Sequence, residues 1–146
     1  GAEATAALDA AFARLTDSAV PVPTVLALQG RSLELARTAK GVAFASFDEL
    51  CRAPLGPADF LAIARHFHTL ILDGVPRLSA DQGNEARRFM LLIDELYEHH
   101  CHLVMAAEDL PDRLYPGGEG AFDFRRAASR LIEMQSAEYL EQEHRG

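Results

Sequence analysis

The stretch HTLILDGVPRLS, residues 68–79, decides the fold of this chain. Its apolar run ends in Asp73, and Gly74 follows. Such a run is typical of a strand that is buried on both faces, so we predict a strand over residues 69–73. A second apolar run, CHLVMAA, fills residues 101–107, and the segment between them, NEARRFMLLIDELYE, carries one apolar helix face. Strand, helix and strand in this order predict a parallel βαβ unit.

Three β-rich runs precede this unit and are separated by Gln29-Gly30-Arg31 and by Lys40-Gly41. Glycine-containing turns between such runs predict an antiparallel meander, with strands at about 24–28, 32–37 and 42–46. The predicted fold class is therefore α/β, a mixed sheet with an antiparallel N-terminal meander and a parallel βαβ unit.

Helices are predicted before, between and after the strands along the chain. Residues 3–16 show helical spacing, Pro57 suits the first position of a helix, and Asn84 suits the cap of the long helix. The last helix is predicted to run from about 122 to 140. We expect one compact domain, with an N-terminal helix in residues 1–19 and the main body in residues 20–146.

Composition narrows the function classes. The 146 residues carry a net charge of −8, with 49% hydrophobic and 25% charged residues. An acidic chain is a poor binder of nucleic acid, and no apolar run is long enough to span a membrane. The start of the chain lacks the features of a secretory signal, so a cytoplasmic location is expected. Cys51 and Cys101 are predicted to be buried free thiols, with a disulfide as the alternative.

Asp73 is the first candidate for chemistry, because a carboxylate at the end of a parallel strand can bind Mg²⁺ in a nucleotide site. Gly74 stands where a second acid would follow, and the chain has no phosphate-binding loop of the Gly-Lys-Ser/Thr type. Prolines near the strand–helix junction before Pro57 also remove N–H donors that a phosphate needs. The alternative role of Asp73 is a hydrogen bond to a loop.

The run His99, His100, Cys101 and His102 is a second candidate, for a metal. A structural zinc site needs four converging ligands, and this run supplies two at most. The alternative is a helix end with histidines near its carbonyls and a cysteine in the core. We predict no metal site and no catalytic residue in this chain.

Arg126 and Arg130 form the third candidate, since they lie four residues apart on one helix face with Glu133. Two such arginines repel each other unless an anion or a carboxylate lies between them. A nucleotide or inter-subunit contact is one interpretation. The other is an intramolecular salt bridge from Arg130 to Glu133, Asp94 or Glu95.

Three long phrases carry a resemblance: FDELCRAPLGPADFLAIARHF, RRFMLLIDELYEHHCHLVMAAEDLPDRLYPGG and FRRAASRLIEMQSAEYL. They resemble the C-terminal half of the ZapE-like ATPases, which include the AFG-like proteins also called lactation-elevated protein. The likeness covers about residues 25–141. Arg126, Ser129 and Arg130 match the family's last motif, whereas Ala127 stands where threonine is usual.

The resemblance implies a parent protein that is a P-loop ATPase of the AAA+ kind, using ATP and Mg²⁺ bound by an N-terminal half that is not in this chain. It also implies a link to the cell-division apparatus, that half as a packing partner, and a homo-oligomer. This chain would then serve packing, oligomer contacts or partner docking. The alternatives are a free-standing metal enzyme using Asp73 with the His99–His102 cluster, or a pure interaction module.

The order of the segments suggests a further hypothesis. A strand ending in an acid, a helix, a second strand and an arginine-bearing helix follow one another as in a nucleotide-binding core. We therefore predict a degenerate copy of a P-loop ATPase core that lacks the phosphate loop. This hypothesis requires strands 69–73 and 101–107 to be parallel and to share one sheet.

Overall fold

The computed structural model describes residues 1–146 and contains one five-stranded sheet in the order β1-β2-β3-β4-β5. The strands are β1 Val22–Leu28, β2 Arg31–Ala39, β3 Val42–Ser46, β4 Thr69–Val75 and β5 His102–Ala107. The first three pair antiparallel, and β3, β4 and β5 pair parallel. The predicted mixed sheet is confirmed, including the parallel pairing of β4 with β5.

The helices are α1 Ala2–Leu15, α2 Pro57–His66, α3 Gly83–Glu98, α4 Ala121–Glu133 and α5 Ala137–Leu140. A π-helical turn at Asp48–Arg52 and a 3-10 turn at Pro111–Arg113 complete the regular structure. None of these helices combines the length and the apolar composition that a membrane-spanning segment requires.

Two apolar clusters cover the two faces of the sheet. The larger one joins α2, α3, α4 and α5 to one sheet face, with Phe60, Leu72 and Phe89 fully buried at its centre. The smaller one joins Leu8, Ala11 and Phe12 of α1 to Val42 and Ile71 on the opposite face. The parallel strands therefore lie between helices on both sides, as their apolar sequences require.

Two local predictions were wrong. The long helix begins at Gly83, and its cap residue is Gln82 rather than Asn84. The predicted helix over 122–140 is two helices, because α4 ends at Glu133 and Ser136 caps a separate α5 by accepting a hydrogen bond from the Tyr139 N–H (3.2 Å).

The break before α5 coincides with a buried contact of Tyr139. Its hydroxyl donates to the carbonyl oxygens of Leu96 (3.2 Å) and Cys101 (2.7 Å), where α3 ends and β5 begins. Burial raises the pKa of Tyr139 above its ordinary value, so the hydroxyl keeps its donor proton at neutral pH. The C-terminal segment is thereby fixed to the end of the sheet.

Candidate functional site

The arginine-bearing face of α4 packs against α3. Phe124 of α4 stacks on Phe89 of α3 with ring centroids 5.9 Å apart, and this contact sets the two helices side by side. Arg126 and Arg130 then face α3, since residues four apart share one side of a helix. The surface formed by Asp94, Arg126 and Arg130 is called the arginine face below.

One carboxylate lies between the two arginines. Asp94 of α3 forms an ion pair with Arg130, and its second oxygen lies 3.4 Å from Nη2 of Arg126. The predicted intramolecular salt bridge of Arg130 is thus present, with Asp94 as its partner. The shared carboxylate offsets the repulsion that two guanidinium groups would otherwise exert on each other.

An aromatic side chain further restrains Arg130. Its guanidinium lies 4.8 Å from the ring centroid of Tyr97, and the Tyr97 hydroxyl donates to Oε2 of Glu133 (2.6 Å). The hydrogen bond to Glu133 raises the pKa of Tyr97 above its usual value. Arg130 is therefore held by an ion pair and a ring together.

The two arginines differ in what they can still contact. The Arg126 side chain is 67% exposed, whereas that of Arg130 is 22% exposed. A guanidinium has five N–H donors, and the single long contact of Arg126 leaves most of them facing solvent. Arg126 is the member of the pair that can receive an anion or a carboxylate from another molecule.

Asp73 lies at the end of β4 and is engaged within the chain. The Thr5 hydroxyl of α1 donates to its Oδ2 over 3.0 Å. Gly74 follows with a positive φ of 72°, and the pairing of β4 with β5 shifts between Leu72 and Val75. The alternative predicted for Asp73, a hydrogen bond, is what the structure shows, although the donor is a helix residue.

The helix start that follows β3 does not fit a triphosphate. Asp59 in the first turn of α2 accepts a hydrogen bond from the Gly56 N–H (2.8 Å) and forms a bidentate ion pair with Arg31. A carboxylate thus already accepts the Gly56 N–H, one of the donors that a phosphate at this helix start would need. Lys40, the single lysine, lies in the turn between β2 and β3.

This Asp59–Arg31 pair was missed in the sequence, although an acid three residues after Gly56 is a capping signal. Asp59 is buried, and the Arg31 guanidinium holds the pKa of its carboxyl below the usual range. The carboxyl group therefore stays ionised at neutral pH, and it fastens the start of α2 to the start of β2.

The histidine cluster does not converge on one point. Nδ1 of His99 lies 3.0 Å from the carbonyl oxygen of Glu95, while Nε2 of His102 lies 3.2 Å from that of Leu140. No three His, Cys, Asp or Glu side chains are grouped so that they could hold a metal ion. Thr69 of β4 pairs with His102 of β5. Asp73 lies four residues after Thr69 and is therefore about 13 Å from this pair along the sheet, at roughly 3.3 Å per residue. This geometry does not support the metal-enzyme alternative.

Both cysteines are free and buried, as predicted. Burial raises the pKa of each thiol to about 12, so neither forms the thiolate that a nucleophile requires near neutral pH. The Cys101 thiol instead contacts the carbonyl oxygens of Ala64 (3.3 Å) and Phe67 (3.4 Å). Its role is that of a core residue where β5 begins.

Comparisons with known proteins place these features in context. A family described as AFG1-like ATPase matches residues 1–143. Cell division protein ZapE of Escherichia coli K12 is 46% identical over 99 residues, which cover 68% of this chain and 26% of that protein. Lactation elevated protein 1 homolog B of Danio rerio is 37% identical over 149 residues, covering 80% of this chain and 30% of that protein. The chain thus spans about a quarter to a third of these relatives, and no solved structure matches it.

Proposed function

This chain belongs to the AFG1-like ATPase family, and from that membership we propose that it is the C-terminal accessory part of a larger P-loop ATPase of the AAA+ kind. The rest of the parent protein binds ATP and Mg²⁺ and hydrolyses the ATP. The observation that carries the proposal is the start of α2, where the Asp59 carboxylate accepts the Gly56 N–H and so occupies a donor that a phosphate there would need. A sheet of this kind without a phosphate cradle needs a neighbour to take part in ATP hydrolysis.

One observation supports the hypothesis of a degenerate ATPase core. The strands β4 and β5 are adjacent and parallel, with α3 connecting them and arginines on the helix that follows. Gly74 stands where a second acid would position the attacking water. We propose that this chain keeps the sheet of an ATPase core without its phosphate chemistry, and that its work is packing, oligomer contact or partner docking.

Within that role, Arg126 and Arg130 are the proposed nucleotide-facing or inter-subunit residues. Arg126 supplies the exposed guanidinium, and Arg130 positions the helix face through Asp94 and Tyr97. Their contact would be made with an anion outside this chain, in the rest of the parent or in a second copy within a homo-oligomer. Arginine suits this purpose because its charge and planar fork match phosphate and carboxylate groups.

Turnover of the full-length protein tests this role. Arg126→Ala and Arg130→Ala should each lower ATP turnover by about tenfold or more, the first by removing the exposed guanidinium and the second by releasing the helix face that Arg130 positions. Arg125→Ala is the matched control, since Arg125 is exposed on the same helix and contacts the ring of Phe122. The thermal midpoint of each variant is measured in parallel. Unchanged turnover in a folded variant removes that arginine from the site.

ATP binding provides a second test. Calorimetric titration of this chain with ATP and Mg²⁺ should give no measurable heat of binding, because its residues do not form a phosphate cradle. Full-length protein should bind. Saturable binding by this chain alone would contradict the proposal.

The partners and the location of this protein are proposed from its family membership. The bacterial relative is called a cell division protein, and we propose a cytoplasmic role linked to division for this one. The second candidate function is a pure interaction module, favoured by an open groove of about 550 Å³ beside α4. Phe122 and Ile132 line it and are 78% and 58% exposed. Pull-down of division proteins with and without the rest of the parent separates the two functions.

A further inference from the structure

The strand β5 ends the sheet with unpaired main-chain groups. The N–H of His102 donates to His68 O (2.8 Å) and that of Glu108 to Val75 O (2.9 Å), both on the β4 side. Main-chain groups alternate between the two sides of a strand, so those of Leu103 and Met105 point away from β4. None of the hydrogen bonds outside the regular ladders reaches them.

The opposite edge of the same sheet is protected. Strand β1 contains Pro23, which has no N–H to offer, and its pairing with β2 shifts between Val22 and Thr24. Proline and irregular pairing are devices by which proteins prevent an edge strand from pairing further. Strand β5 has no proline, lysine or acid in its sequence HLVMAA. Its pairing with β4 shifts once, but the extra residue lies in β4 between Leu72 and Val75, so β5 itself stays regular.

Both faces of β5 are already covered in part. Val104 and Ala106 pack against the α1 cluster on one face, and Leu103 and Met105 pack against the main core on the other. A strand laid beside β5 would extend both apolar layers. Its side chains would therefore need to be apolar on both faces, as in an interior strand.

The chain order leaves the place beside β5 open. Helix α2 follows β3 and precedes β4, and α3 follows β4 and precedes β5, all on one face of the sheet. Helix α4 follows β5 and packs on α3 on that same side, but no strand follows it. Within residues 1–146, β5 therefore has a neighbouring strand on one side only.

We propose that β5 pairs with a further strand supplied by the part of the parent protein that lies outside this chain. The inference rests on the proposed function, since it requires that larger protein. The relatives are three to four times as long as the stretch matched here, so they contain ample chain to supply a strand. A tethered strand also has a high effective concentration at the edge, which a second copy lacks.

Hydrogen exchange of the full-length protein tests this pairing residue by residue. The amides of Leu103 and Met105 should exchange as slowly as those of Val104 and Ala106, within about tenfold, because both sets would be hydrogen-bonded in one sheet. An open edge would make the first set exchange faster by about a hundredfold or more. That result would overturn the pairing.

Two variants of the full-length protein provide a second measurement. Met105→Pro removes an outward N–H and keeps the bonds to β4, so Leu103 should lose its protection. Met105→Ala removes the side chain and keeps the N–H, so protection should persist. Equal protection of Leu103 in both variants would contradict the proposal, as would protection that disappears on dilution to monomers, which assigns the edge to a second copy.

The outcomes separate this inference from the proposed function. ATP turnover by a protein whose Leu103 and Met105 amides exchange rapidly would overturn the pairing alone. Slow exchange in a protein without ATP turnover would overturn the proposed function alone and leave the pairing supported.

Discussion

The two adjacent strands β4 and β5 have similar sequences, TLILDGV and HLVMAA, but different surroundings. The first four residues of β4 are all buried, and Leu70, Ile71 and Leu72 have no exposed surface. In β5 every residue from His102 to Ala106 is only partly buried. An apolar sequence therefore marks a strand that is suited to an interior position, and it does not by itself supply the neighbour that would make that position interior.

The largest expected difference between these strands concerns side-chain burial. Leu72→Ala should lower the free energy of unfolding by about 3–4 kcal/mol, because it opens a cavity in a fully buried site. Met105→Ala should cost about 1 kcal/mol, since its side chain is partly exposed and its surroundings can adjust. Urea denaturation of both variants measures the two values. Equal losses would show that β5 is as deeply buried as β4.

A main-chain comparison within β5 sharpens this contrast. Val104→Pro removes an N–H that faces β4 and should destabilise the chain by about 3 kcal/mol, from the lost hydrogen bond and the steric conflict. Met105→Pro removes an outward N–H and should cost about 1–2 kcal/mol, from its altered backbone and lost side chain. Urea denaturation of the two variants measures both losses from the shift in midpoint, provided that the dependence of the unfolding free energy on urea concentration is unchanged. A reversed order would mean that the alternation along β5 is wrong.

Thr5 tests how the end of β4 is held. Thr5→Ala removes the hydrogen bond to Asp73 and should cost about 1 kcal/mol, the usual value for one partly buried bond. Thr5→Ser retains the hydroxyl and serves as the control, with a smaller loss. If both variants lose the same stability, the bond to Asp73 does not hold this end of the strand.

The smallest expected effect is a difference between the rates at which the two cysteine thiols react, and it is measured on the unsubstituted protein. Both thiols have a pKa of about 12, so both should react slowly with a thiol reagent at pH 8 and faster as the pH rises and more thiolate forms. Cys101 adjoins the edge strand and should react about tenfold faster than Cys51 through local opening of β5. Equal rates for the two thiols would show that both become accessible only when the whole chain unfolds.

Much of the fold could be predicted because its signals are local. The turns at Gln29-Gly30-Arg31 and Lys40-Gly41 separated the meander strands, since glycine there adopts the positive φ that a tight turn needs. The parallel strands could be predicted from their apolar runs, which are also a local signal. The end of α4 was missed, although Ser136 is a capping residue, because helical spacing continues across the break.

The candidate site was predictable only in part. Helical spacing placed Arg126 and Arg130 on one face, and it could suggest Asp94 only as one of three possible partners for Arg130. The bond from Thr5 to Asp73 joins residues 68 positions apart, and sequence periodicity contains no information at that range. The same limit applies to Arg31 and Asp59.

The sequence alone determined the family, the α/β class, the elements of the sheet and the absence of a phosphate loop. These follow from residue types and spacings that act over a few positions along the chain. Only the tertiary structure decided that Asp94 lies between the two arginines, that Asp59 lies at the start of α2, and that β5 is at an edge. The physical reason is that an ion pair or an edge depends on which distant segments pack together, and that is set by the burial of the whole core.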